Sequence, residues 1–208
     1  MSDRSDTSGV SDRVEITFDD GSALVVVDVQ NDFADPHGSL YVKDGQFIIP
    51  TINRLVGAAR DAGALVVYTQ DWHPEITPHF KASGGAWPAH CIQGTWGAQL
   101  QPALEVDGPV VRKGTGADDG YSGFTARDVT TGQDKATELR TVLEERGIRE
   151  VVVVGLAEDV CVQATALDAR RLGYETVVLL DATRPVNLEP GDDGRAIETM
   201  AAAGVRLH

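Results

Sequence analysis

Short, uninterrupted apolar runs alternate along this chain with amphipathic stretches that stop at glycine. ALVVVDV (23–29) is apolar almost throughout and bounded by DDGS and QNDF, which predicts a strand buried on both faces. PTINRLVGAARDAG (50–63) sets Ile52, Leu55, Val56 and Ala59 at helical spacing and ends on Gly63, a residue suited to a helix C-terminus. ALVVYTQ (64–70) predicts a second strand and PVVRKG (109–114) a shorter third. TELRTVLEERGI (137–148) repeats the helix-then-glycine pattern, EVVVVGLA (150–157) reads as a strand, and DVCVQATALDARRLGY (159–174) as a helix. ETVVLLDA (175–182) follows as a strand, before a last helix from Arg195 and a short edge strand. This alternation predicts an α/β fold: an open, doubly wound, mostly parallel sheet with helices on both faces, Rossmann-like in its three layers. Residues 71–108 break the rhythm, and a loop that long in a compact domain is usually functional or partly structured.

The 208 residues suit one domain, expected over 21–208. The polar stretch 1–20 reads as a flexible tail, in which VEITF either adds an edge strand or is disordered. The formal charge of −14, without a basic stripe, argues against nucleic acid and anionic membrane surfaces as partners. LVVVDVQ and VVVVGLA are far too short to cross a bilayer, and the first residues carry no apolar signal core, so a cytoplasmic protein is expected. Cys91 and Cys161 are read as free thiols rather than a disulfide framework.

Ligands of open parallel sheets bind outside the carboxyl ends of the strands. The predicted topology brings Asp28, Asp71 and Lys113 to that edge, with Cys161 in the first turn of the helix after the fourth strand. A thiol there feels the helix dipole, and a nearby ammonium would favour the thiolate further. Asp28 could take the thiol proton and return it to a leaving group. Residue by residue, a blander account also holds: Cys161 as a small buried hydrophobe, Asp28 as a turn residue, Lys113 as a surface lysine.

QDWHPEITPHF (70–80) and WPAHC (87–91) gather Asp71, His73, His79 and His90 into one short span. On spacing alone this is either a solvated polar loop or a set of ligands for a borderline divalent ion such as Zn, Fe or Mn.

VDVQNDF, DWHP, WPAHCIQGTWGAQL, Lys113–Gly114, YSGF (121–124) and GLAEDVCVQATALDA together resemble, in order, the nicotinamidase branch of the isochorismatase-like cysteine hydrolases. The resemblance runs from about residue 22 to the C-terminus. It implies hydrolysis of nicotinamide to nicotinate and ammonia in NAD salvage, with pyrazinamide as a further substrate. Cys161 is then similar to the nucleophile, Asp28 to the general acid–base, and Lys113 to the residue holding that pair. Ala157 and Cys161 match oxyanion-hole positions, beside a cis bond at Leu156–Ala157. Asp71, His73, His79 and His90 match ligands of one divalent metal ion, and Phe33, Trp87 and Tyr121 match residues around the flat substrate ring. The resemblance is compatible with a homo-oligomer.

Glu158 departs from the family's pattern, where a small hydroxyl residue is usual, and it is expected to point to solvent. Three other readings share these features: an amidase or isochorismatase-type hydrolase with another substrate, a silent metal-binding scaffold, and a thiol redox protein. The last lacks a C-x-x-C pair.

Overall fold

The computed structural model describes residues 16–116, 118–128 and 131–208. Six strands form one parallel sheet: β1 (Ser22–Val27), β2 (Leu65–Asp71), β3 (Val110–Lys113), β7 (Glu150–Leu156), β8 (Glu175–Arg184) and β9 (Arg206–Leu207). Their order is β3-β2-β1-β7-β8-β9, so the chain winds outward in both directions from β1 and β7. A second, antiparallel sheet of β4 (Asp118–Asp119), β5 (Thr125–Asp128) and β6 (Asp134–Ala136) was not foreseen, because its strands are short and mostly polar.

Among the described residues the α-helices are α1 (Asn31–Ala34), α2 (Ile49–Asp61), α3 (Glu138–Glu145), α4 (Gln163–Arg171) and α5 (Asp192–Ala202). In β1 every residue is buried, and successive side chains alternate between two cores. Leu24 and Val26 join Ile52, Val56 and Ala59 of α2; Ala23, Val25 and Val27 join Leu139, Leu143, Ala166 and Met200 from α3, α4 and α5. Phe18 is buried in the first core, so packing begins ahead of residue 21. The tail reading over 1–15, and the first two residues of VEITF, lie outside the described residues.

Register decides what the carboxyl edge presents. Val27 pairs with Gly155 and Asp71 with Lys113, so the ends of β1, β2, β3 and β7 lie close together. Among the described residues, no helix is long and apolar enough to cross a membrane.

Candidate active site and metal centre

Asp28 leaves β1 with a positive φ of 49° and is fully buried. Thr69 on β2 fixes it twice: the Thr69 hydroxyl donates to Asp28 Oδ1 (2.6 Å), and the Asp28 N–H donates to Thr69 Oγ1 (3.2 Å). The other carboxylate oxygen lies 2.8 Å from Lys113 Nζ. The Lys113 ammonium also donates to Cys161 Sγ at 3.6 Å and to Asp71 Oδ1. Cys161 sits in a single π-helical turn, Glu158–Val162, which leads into α4; the sequence reading of one continuous helix from 159 missed that turn.

Burial pushes the Cys161 thiol well above the usual thiol range; Lys113 opposes this, while Asp28 and Asp71 add to it. Burial and the contact with Asp28 thus favour the neutral thiol, while Lys113 pulls toward the thiolate. Asp28 is itself raised by burial, against the pull of Lys113, and so is a better proton acceptor than an ordinary carboxylate. Burial would raise Asp71 as well, but Lys113, His73 and His90 outweigh it and hold Asp71 ionised. Two carboxylates therefore share one ammonium in this buried cluster.

The histidines lie on the other side of Asp71. The His73 N–H donates to the Cys91 carbonyl (3.0 Å), and the Gln93 N–H donates to the His73 carbonyl (2.8 Å). This pairing draws WPAHC alongside the continuation of β2. His73, His79 and His90 each offer a ring nitrogen within 4.8 Å of the others. Asp71 Oδ2 faces Nε2 of His73 at 3.7 Å and Nε2 of His90 at 3.9 Å. His90 Nδ1 is 2.8 Å from the Pro88 carbonyl, an acceptor, so Nδ1 carries the proton and Nε2 keeps its lone pair. Burial lowers His90 to about 4, although Asp71 pulls the other way, so the ring is neutral near pH 7. A lone pair facing a carboxylate is repulsive unless a cation lies between them.

Both ring nitrogens of buried His73 also lack a hydrogen-bond partner among the described residues. One carboxylate and three imidazoles, partly orphaned in this way, fit a borderline divalent ion. Asp28, Asp71 and Cys161 form a second donor group, but the Lys113 ammonium already contacts all three.

One pocket joins the two halves. Asp71, His79 and His90 form part of its wall, and Cys161 and Ala157 another part. Phe33, Trp87 and Tyr121 supply the aromatic faces, and the Trp87 indole N–H donates to Tyr121 Oη (3.0 Å). Asp28, Lys113 and His73 are buried and do not form part of that wall. The Leu156–Ala157 peptide bond is cis, as the resemblance implied.

Glu158 does not point to solvent: it is buried and accepts a hydrogen bond from the Thr183 hydroxyl (2.6 Å). Sequence reasoning also passed over three supporting residues. Gln30 Oε1 accepts the Asp71 N–H (2.8 Å) while its amide group donates to the Asp71 carbonyl (2.7 Å), clamping that residue's backbone. Thr69 orients Asp28, and Asp32 accepts the Cys91 N–H (2.7 Å) directly after His90. For Thr69 and Gln30 the available signal was a polar residue inside or beside an apolar run, which buries a polar group that must find a partner. The aliphatic part of the wall, Leu40, Val42, Val160 and Val186, carried no such signal.

The family model described as "Isochorismatase domain" matches residues 22–207. The chain is 40% identical over 192 residues to the nicotinamidase/pyrazinamidase of Mycobacterium tuberculosis, covering 89% of this chain and 97% of that protein. The pyrazinamidase of Pyrococcus horikoshii in complex with zinc superposes with a TM-score of 0.80 at 39% identity, covering 90% of this chain and 98% of that one. PnC1 from L. infantum in complex with nicotinate gives a TM-score of 0.82 at 37% identity, covering 93% and 95%.

Proposed function

The chain belongs to the isochorismatase family, and from that premise we propose that it is a metal-dependent nicotinamidase, hydrolysing nicotinamide to nicotinate and ammonia in NAD salvage. One observation carries the reading: Asp71 ties the Cys161–Asp28–Lys113 cluster to the histidine cluster, and Asp71, Cys161, His79 and His90 open onto one pocket.

Asp71, His73, His79 and His90 would hold the divalent ion. Bound there, it would offer a Lewis-acid point for a ring nitrogen. Phe33, Trp87 and Tyr121 enclose the flat ring and present its carboxamide to Cys161. Asp28 takes the thiol proton as Sγ attacks the carboxamide carbon, so the thiolate forms only as it reacts. The N–H groups of Ala157 and Cys161 stabilise the oxyanion. Asp28 passes the proton to the amide nitrogen, the C–N bond breaks, and ammonia leaves a thioester on Cys161. Asp28 then deprotonates a water molecule, which attacks the thioester; nicotinate departs and the proton returns to Sγ. Lys113 stays charged throughout, since Asp28 and Asp71 raise it despite burial, and it holds the acid–base residue against the nucleophile. Placement in the cytoplasm and assembly with further copies belong to the same proposal.

Ammonia release from nicotinamide decides it, measured before and after chelation and with Cys161→Ala. Loss of release in both is expected. A metal-restored wild-type protein that releases no ammonia would remove nicotinamide as the substrate, and other planar amides would be screened next.

A further inference from the structure

The π-helical turn that carries Cys161 also carries a carboxylate the chemistry above does not use. Asp159 Oδ1 accepts the Val186 N–H (2.8 Å), and Oδ2 accepts the Asn187 N–H (2.7 Å). Two consecutive backbone donors on one carboxylate make a bidentate grip with charge-assisted bonds. Asn187 takes a positive φ of 49°, a conformation that asparagine tolerates better than most residues. Its own side chain accepts the Asp193 N–H (3.0 Å), which ties the far end of the segment to the start of α5.

Val186 belongs to the pocket wall, as does Val160, the neighbour of Asp159 within the turn. The segment after β8 therefore meets the ring pocket where a carboxylate two residues from the nucleophile anchors it. Leu40 and Val42 add aliphatic surface to the same wall. A wall of this kind provides no hydrogen bonds to a substrate; it acts by excluding volume. Its position sets how large a ring fits.

We infer that Asp159 is a specificity-positioning residue: it holds Val186 against the ring pocket and so restricts the enzyme to carboxamides of small, unsubstituted heteroaromatic rings. This rests on the nicotinamidase reading for its substrate class, whereas the grip itself rests on geometry alone.

The test compares wild type, Asp159→Ala, Asp159→Asn and Val186→Ala on nicotinamide and a set of nicotinamides methylated at each free ring carbon. Asp159→Ala should raise KM for nicotinamide about 5–20-fold with kcat within about threefold, and should improve the kcat/KM ratio of at least one methylated ring about tenfold, the scale of one methyl group in an apolar pocket. Val186→Ala should shift the ratio for the same ring, and Asp159→Asn, which keeps one acceptor oxygen, should fall between. Hydrogen exchange at the Val186 and Asn187 amides should quicken in Asp159→Ala.

Unchanged ratios in both alanine variants would overturn the inference. So would a shift in Val186→Ala alone, which would show a wall that Asp159 does not position. Unchanged exchange in Asp159→Ala would overturn the grip whether or not the protein is active. Wild type that leaves nicotinamide intact would sink the substrate reading instead, and the exchange rates would then decide the grip.

Discussion

Thr183 has one hydroxyl proton and two acceptors in reach, Glu158 Oε2 at 2.6 Å and the Leu180 carbonyl at 3.0 Å. With Glu158 ionised, that proton can satisfy only one of them. With Glu158 protonated, the carboxyl donates to Thr183 and Thr183 donates onward to Leu180, so every group is paired. Burial, partly offset by the bond from Thr183, raises the Glu158 pKa above the ordinary 4.5. The folded state thus holds this proton more tightly than the unfolded chain does. The stability it brings is complete below the unfolded value and is lost as pH rises through the folded one. Glu158→Gln mimics the protonated form at every pH. It should stabilise the protein at pH 7 by about 1 kcal/mol, roughly 2–4 °C in Tm, and the gain should vanish below about pH 4. Melting curves of both proteins from pH 4 to 8 test this; a gain independent of pH would refute the titration. Thr69 makes a different residue-scale prediction. Thr69→Val keeps the shape but removes the hydroxyl that orients Asp28, so kcat should drop at least tenfold with KM nearly unchanged, read by steady-state kinetics.

Strands were legible because burial on both faces forces continuous apolar sequence: β1, β2 and β7 fall within one or two residues of the runs that predict them. The same logic explains what stayed hidden. DD, TARD and DKA of β4, β5 and β6 are largely polar and give no period-2 signal, so only hydrogen bonding reveals that sheet. The π-helical turn was invisible because it differs from an α-helix by one residue of register, not by composition. Of the candidate site, Asp28, Asp71 and Lys113 were legible as charged residues closing apolar runs, and the roles came from the resemblance. Glu158 was misplaced because its partner, Thr183, enters through an irregularity in β8 that no local pattern announces. Val153 pairs with Val178, but Gly155 pairs with Thr183, so the extra residues of β8 bulge between them. Gly155 sits at that irregularity with a positive φ of 114°, and a Cβ there would run into the Val27 backbone on β1. Backbone on a central strand cannot yield as a surface side chain can. Gly155→Ala should therefore cost about 3 kcal/mol or more, or prevent accumulation of folded protein, whereas Gly194→Ala on α5, with open space around it, should be nearly neutral. Chemical denaturation of the two variants separates these outcomes.

At the scale of the molecule, the histidine cluster adds side-chain ligands where backbone pairing of His73 with Cys91 and Gln93 already holds the long segment alongside β2. Asp71 ends a central strand, His73 follows it, and His79 and His90 lie on the long irregular segment between β2 and β3. That segment brings three imidazoles to Asp71, and the Nε2 lone pair of His90 faces the Asp71 carboxylate, an arrangement that a cation between them would relieve. A divalent ion binding the folded chain and not the unfolded one stabilises it by mass action, by about 2.7 kcal/mol at a hundred times its Kd. Chelation should therefore lower Tm by several degrees, and Zn, Mn or Fe should restore it to different extents. His90→Gln removes one donor nitrogen, so it should melt lower when metal is present and respond only weakly to chelator. Thermal melts of the two proteins, each with and without chelator, make the comparison, and they need no substrate. If wild type melts at the same temperature in all conditions, the histidines do not hold a metal, even in a protein that hydrolyses nicotinamide. If chelation destabilises wild type but leaves His90→Gln unmoved, the ion occupies this cluster and helps hold the long segment against the sheet.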